Sequence, residues 1–293
     1  MDNELCRLAP RAADLCRQAG KNGVAAGDFL TLAEQAYLKS LQDGGFDREM
    51  LTFFGGYGEA ERRVMVFISE DHRARLQSIR EKQAQKTVDW DSIDWEKDDW
   101  WQQADGLCEE SPRDAVSFEE AGIAVLGVSV PKGAQLPGHR DFLGALLALG
   151  LDRRALGDIV PFEGKTYLFV KKSVADYLVN SMDRVGKSPV SVEKVTLPTH
   201  FAPERAFEET VLTVAGLRLD GLVAAITGLS REEAKNTVIH GLVNRNYLPE
   251  TRPETLLCEG DVLSVKGSGR FVLQRIAGQT KKGRLKIVLQ KYV

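Results

Sequence analysis

The residues whose types and spacing can do chemistry lie near the C-terminus, and they are cationic. Ser230-Arg231-Glu232-Glu233-Ala234-Lys235 has a serine followed three residues later by a glutamate. That spacing predicts a capping box, in which Ser230 and Glu233 each satisfy the other's free backbone N–H and fix a helix start. Arg231 and Lys235, four apart, then share one face of the helix, while Val238 and Ile239 are expected to bury. Gly241 follows where a left-handed residue ends a helix. The same C-terminal stretch also holds Arg218, Arg245, Lys266, Arg270, Lys281, Lys282 and Arg284. Cations beside a helix N-terminus suit the gripping of phosphates. Ser230 joins them through its place at that N-terminus.

The charge distribution points the same way. Residues 215–293 carry 13 Lys+Arg against 7 Asp+Glu, leaving 26 against 35 for the rest of a chain whose net charge is −3. A basic module on an acidic body is the electrostatic footprint of a phosphate-backbone binder.

The elements that position these residues are short. One helix opens near Arg218-Leu219-Asp220 and a second runs from Ser230 to Gly241. Small strands follow, with turns at Asn244-Tyr247 and Gly260-Asp261, then the alternating segment Val262–Lys266. A last hairpin has Gly278-Gln279-Thr280-Lys281-Lys282-Gly283 at its tip, where the lysines add phosphate contacts.

Length and composition bound the remainder. At 293 residues the chain is expected to hold two or three domains, and 43% hydrophobic with 28% charged residues is ordinary for a soluble protein. No apolar run is long enough for a membrane span, and Met1-Asp2-Asn3-Glu4 lacks a signal core. The four cysteines, Cys6, Cys16, Cys108 and Cys258, form no CxxC pair. Neither a metal site nor a disulfide framework is expected, no cofactor is implied, and a reducing cytoplasm fits. Cys6 and Cys16 are read as small packing residues.

In chain order, residues 1–58 read as a helical N-terminal region with two amphipathic helices. The first carries the stripe Leu5, Leu8, Ala12, Leu15. The second covers about 29–41 with Leu32, Ala36 and Tyr37 inward. Residues 59–185 alternate strands (64–68, 123–130, 166–170) with helices (from about 139 to Gly150, and 173–183), indicating an α/β domain. Inside it, at about 75–118, sits an acidic insertion. Residues 88–120 hold 12 Asp+Glu, 2 Lys+Arg and all four tryptophans, Trp90, Trp95, Trp100 and Trp101. The segment reads as a surface insertion, with an arm for a protein partner as the alternative, since tryptophan anchors concentrate binding energy. Residues 186–213 read as a linker with one strand, and 214–293 as the basic module.

Three motifs suggest other chemistry. Gly55-Gly56-Tyr57-Gly58 precedes a strand rather than following one and opening a helix, so it does not make a nucleotide cradle. Next to it, Arg62 and Arg63 offer themselves to phosphate. His139-Arg140-Asp141 matches a kinase catalytic loop in three letters, but Leu146 stands where the magnesium asparagine is needed. Arg218-Leu219-Asp220 invites comparison with pseudouridine synthases, yet Gly221-Leu222-Val223 does not continue that motif, and Asp220 reads as opening a helix.

Two resemblances stand on these residues. Arg218-Leu219-Asp220, Ser230-Arg231, Ala234-Lys235, Gly241, Val243, Asn246, Gly260-Asp261 and Gly269-Arg270-Phe271 resemble an S-four domain, a small RNA-binding module of the αL type. The resemblance implies an RNA face of Ser230, Arg231, Lys235, Lys266 and Arg270. Leu242 stands where many such domains have a basic residue, a place Arg245 can compensate. Phe53-Phe54-Gly55-Gly56-Tyr57, Ala60-Glu61-Arg62-Arg63, His139-Arg140-Asp141-Phe142-Leu143-Gly144-Ala145-Leu146-Leu147, Gly157-Asp158-Ile159 and Gly278-Gln279-Thr280-Lys281-Lys282-Gly283-Arg284 together resemble the bacterial YlmH-type RNA-binding proteins, over about 28–71 and 121–293. That family usually has Thr at the position of Gly138. The resemblance implies an α+β protein: N-terminal helices, an RRM-like α/β domain and a C-terminal S-four domain. It further implies a non-catalytic protein that binds ribosomal RNA and tRNA on the large ribosomal subunit, in quality control of stalled translation. The alternative is an RNA-modifying enzyme, pseudouridine synthase-like, that uses the S-four domain for targeting.

Overall fold

The computed structural model describes residues 5–87, 116–131, 133–134, 136–203 and 207–292. The tryptophan-rich insertion lies outside them except for residues 116–120. In order, the elements are α1 (Leu8–Asn22), β1 (Val24–Leu30), α2 (Leu32–Ser40), β2 (Leu51–Phe54), β3 (Arg63–Ile68), α3 (Glu70–Thr87), β4 (Ile123–Ser129), α4 (His139–Ala148), β5 (Leu156–Phe162), β6 (Lys165–Lys171), α5 (Lys172–Ser181), β7 (Arg184–Val185), β8 (Ser188–Pro189) and β9 (Ser191–Lys194). Then come β10 (Phe207–Val214), α6 (Leu219–Thr227), α7 (Arg231–Ile239), β11 (Val243–Arg245), β12 (Leu248–Pro249), β13 (Val262–Val265), β14 (Gly269–Gln279) and β15 (Leu285–Tyr292). The chain is α+β, and it divides into two compact units: Met1–Thr31 with Leu41–Ala202, and Leu32–Ser40 with Pro203–Val293.

The first unit is built on two sheets. β4-α4-β5-β6-α5-β9 is a βαββαβ unit whose antiparallel sheet has the order β5-β6-β4-β9. Alternation sorts its side chains. Leu126, Val128, Leu168 and Val170 face α4 and α5, packing with Phe142, Leu146, Ala175 and Leu178. Val125, Tyr167 and Phe169 face the other way, with Phe29, Val64 and Val66 from a three-stranded sheet of order β1-β3-β2.

Several expectations are corrected here. The N-terminal region holds two strands besides its helices: residues 24–30, partly read as helix, are strand β1, and α2 buries Gln35 and Leu38 rather than Leu32, Ala36 and Tyr37. A short apolar run such as Val24–Leu30 has no period that separates strand from helix, and only pairing with β3 decides. The strand at 64–68 belongs to this N-terminal sheet and not to that of β4. Cys6 is exposed. The expected linker contains β8, β9 and β10, and Val195, Leu197 and Phe201 pack on the core. It lacks helical pattern because its strands are short, not because it is unstructured.

The second unit carries a six-stranded antiparallel sheet of order β10-β15-β14-β13-β11-β12. Leu219, Leu222 and Val223 of α6 and Ala234 and Val238 of α7 bury against Val243, Leu263, Leu273, Ile287 and Leu289. Ile239, expected inside, is 47% exposed, because it falls on the outer side of the last turn.

Candidate nucleic-acid interface

The expected capping box is present. Ser230 Oγ accepts from the Glu233 N–H at 3.3 Å, and Glu233 Oε2 accepts from the Ser230 N–H at 2.9 Å. The Ser230 side chain is therefore already engaged in holding the helix. Hydrogen bonding to the Glu233 carboxyl from Ser230, its side chain foremost and then its backbone N–H, keeps that carboxyl below its usual range. At the other end His240 closes the helix and Gly241, at φ +69°, turns the chain out, a conformation an L side chain resists. α7 thus presents Arg231 and Lys235 at its exposed surface.

The ten candidate residues divide by what already holds them. Arg231, Lys235, Lys266, Lys281 and Lys282 are exposed and make no ion pair among the described residues. Arg218, by contrast, grips Asp220 with Nε–Oδ1 at 3.2 Å and Nη2–Oδ2 at 2.9 Å. Asp220 is 6% exposed and also accepts the Gly221 N–H. Its hydrogen bonds to Arg218 outweigh burial and hold its carboxyl low. Both residues brace the start of α6, which gives Arg-Leu-Asp here a structural account. Arg245 is held in the same way by Asp261, with Nε at 3.0 Å and Nη2 at 2.8 Å, so its guanidinium is committed and does not stand in for the cation that Leu242 lacks. Arg284 donates to the Thr213 carbonyl at 3.2 Å beside the hairpin tip. Arg270 lies over two rings, Tyr292 at 5.0 Å and Tyr247 at 5.6 Å.

Asp261 anchors a network that the sequence reading passed over. Besides Arg245 it accepts from Asn246 Nδ2 at 2.7 Å and from the Cys258 N–H at 2.8 Å. Burial raises its pKa, but these donors prevail and the carboxyl sits below its usual value. Asn246 and Tyr247 both have positive φ, +49° and +70°, in the two-residue turn between β11 and β12. Asparagine tolerates this; tyrosine does so at a cost. The signal was the pair Asn246 and Gly260-Asp261, read as motif letters but not as a hydrogen-bonded unit. A groove of about 540 Å³ lies nearby, between Gly241-Leu242, Asn244 and the Ser264–Arg270 turn.

In the first unit, the arginines offered to phosphate are taken. Arg62 donates to the carbonyls of Leu156 at 2.7 Å and Arg153 at 2.8 Å; Arg63 donates to those of Ala60 and Gly58, both at 2.8 Å. Asp158 completes the lock, accepting from Tyr57 Oη at 2.7 Å and from the N–H groups of Glu61 and Arg62 at 2.7 and 3.0 Å. A register shift between Leu156 and Ile159 lets the strand present Asp158 to this loop. Gly157 sits under the Phe29 ring, where a Cβ would come within 2.6 Å of it. At α4, Gly138 has no oxygen with which to cap; Asp141 Oδ2 accepts its N–H at 3.1 Å instead.

The aromatic side of the βαββαβ sheet is covered. Tyr167 and Phe169 are 7% and 1% exposed. The Phe201 ring lies 5.1 and 6.0 Å from theirs, and Tyr57 lies 5.2 Å from Phe169. Among the described residues no group of acidic, histidine and cysteine side chains is arranged to hold a metal ion, and no helix is long and apolar enough to cross a membrane.

The chain thus combines a βαββαβ domain with a basic unit of two helices and a six-stranded sheet. Residues 117–199 match the family described as "Putative RNA-binding domain in YlmH", so the chain carries a YlmH-type domain of that kind. A curated relative, "Ribosome-associated protein quality control protein P2" of Bacillus subtilis (strain 168), is 37% identical over 153 residues, 52% of this chain and 60% of its own length. The match therefore spans about three fifths of that relative. Among solved structures, "Cell division protein ylmH from Streptococcus pneumoniae" aligns with a TM-score of 0.40 at 14% identity, covering 67% of this chain and 93% of that one.

Proposed function

We propose that this chain is a non-catalytic RNA-binding protein of ribosome-associated quality control, acting in the cytoplasm on ribosomal RNA of the large subunit and on tRNA. The observation that carries the reading is the exposed cation set Arg231, Lys235 and Lys266 with the basic tip Lys281-Lys282, on a unit where Arg218 and Arg245 are already braced by carboxylates. Lysines and an arginine that make no ion pair among the described residues bind phosphates by counterion release and recognise folded RNA by shape. The match of residues 117–199 supports RNA binding, and the name of the Bacillus subtilis relative supports the ribosomal setting. The covered aromatic face directs any RNA contact of the βαββαβ domain to its loops and edges. Arg218, Arg245 and Arg284 serve the interface chiefly as structure. The acidic tryptophan-rich segment keeps its reading as a surface insertion, with an arm for a protein partner as the alternative.

Crosslinking of the tagged protein in its native cells, followed by sequencing of the bound RNA, tests this. Reads on large-subunit ribosomal RNA together with tRNA are expected. Reads confined to one unrelated RNA, without ribosome enrichment, would overturn the assignment.

A further inference from the structure

We infer that the groove between the end of α7 and the β13–β14 turn holds one unpaired nucleotide of the bound RNA, its base edge met by Asn244 and Ser264 and its face by Arg270. The inference rests on the RNA-binding reading and deepens it from phosphate gripping to recognition of an extruded base.

Register sets up the row. Asn244 is directly opposite Ser264, and Ser264 is directly opposite Arg270. Residues directly opposite on adjacent strands share a face. An amide, a hydroxyl and a guanidinium therefore stand side by side across β11, β13 and β14, and all three line the groove. An amide and a hydroxyl supply the donors and acceptors that a base edge needs.

The third member is flanked by aromatic rings. Tyr292 and Tyr247 lie 5.0 and 5.6 Å from the Arg270 guanidinium carbon, and Phe207 meets the Tyr292 ring edge-on at 5.0 Å. Unpaired bases stack on guanidinium planes and on aromatic rings. Tyr247 reaches its place only at φ +70°, a backbone cost at the residue that orients Arg270. The Asp261–Asn246 bonds hold that turn in shape.

Size and charge fit the same occupant. A volume of about 540 Å³ is within the range of small-ligand sites. Gly267 and Gly269 leave backbone exposed for close approach, Leu242 offers an apolar edge, and Lys266 supplies a cation. Among the described residues no carboxylate lines the groove.

The test measures binding of the full-length protein to two RNAs: a duplex with one bulged nucleotide, and the same duplex fully paired. The wild-type protein is expected to prefer the bulged RNA by about tenfold, the worth of a read base edge. Asn244→Ala with Ser264→Ala should erase that preference and leave paired-duplex binding unchanged. Arg270→Lys keeps the charge but loses the planar stack, and should erase it too. Arg231→Glu with Lys235→Glu should weaken both RNAs alike. Absence of a preference in the wild type, or its survival in both groove variants, overturns the inference while phosphate binding stands. If the wild type binds neither RNA, the RNA-binding reading itself falls, and the inference with it.

Discussion

Two sheets in this protein carry aromatic side chains on the face away from their principal helices, and only one leaves them beside a groove. In the βαββαβ domain, Tyr167 and Phe169 of β6 are sealed by Phe29, Tyr57 and Phe201. In the C-terminal unit, Tyr292 and Tyr247 flank Arg270 beside an open, cation-edged groove. The residue chemistry of the two faces is similar; what covers each differs. A sheet bearing aromatics becomes a nucleic-acid platform only if nothing else in the chain needs its area to complete a core. The first unit uses this face to join two sheets; the binding proposed above rests on exposed cations of the second.

Phe169→Ala attacks the sealed face and should have the largest effect. Removing a ring that is 1% exposed is expected to destabilise the first unit by about 4 kcal/mol, read by denaturant unfolding. RNA affinity under native conditions should not change; a fall in affinity without unfolding would mean that this face does contact RNA. Asp158→Ala comes next. It removes an acceptor from the Tyr57 hydroxyl and from two backbone N–H groups, and should cost about 2 kcal/mol, again without touching RNA affinity.

The third effect is one of pH and belongs mainly to the second unit. Glu250 is held down to about 2 by its hydrogen bonds to Arg252, and Asp220 and Asp261 are also depressed. A carboxyl whose folded value is below its unfolded one stabilises the fold above the unfolded value and stops doing so as pH falls through the folded one. For Glu250 the stabilisation is present above about 4.5 and lost towards about 2. Amide exchange in the C-terminal unit should therefore speed up over that window, and Glu250→Gln should flatten the dependence. An unchanged profile in that variant would remove Glu250 from the account.

Much of the candidate site was legible because its signals are local. The capping box needs only Ser230 and Glu233, and the left-handed stop needs only Gly241. The helices of the βαββαβ domain showed in the same way, through period and punctuation. What escaped depends on pairing between distant segments. β1 is a strand because β3 lies beside it, and β9 is one because β4 does. Arg62 and Arg245 looked like phosphate ligands because their partners, the Leu156 carbonyl and the Asp261 carboxylate, are 94 and 16 residues away. Charge type is written in the sequence, but whether a charge is already spent is a property of the fold.

The most direct test is co-sedimentation of Arg231→Glu with Lys235→Glu with large ribosomal subunits, alongside a melting curve. Both residues are exposed and make no ion pair among the described residues, so the fold should survive with its melting temperature nearly unchanged. Affinity should fall by about tenfold or more as two phosphate contacts become repulsions, and the protein should leave the subunit fraction. Sedimentation equal to that of the wild type, from an equally folded variant, would contradict the claim that the C-terminal unit carries the binding.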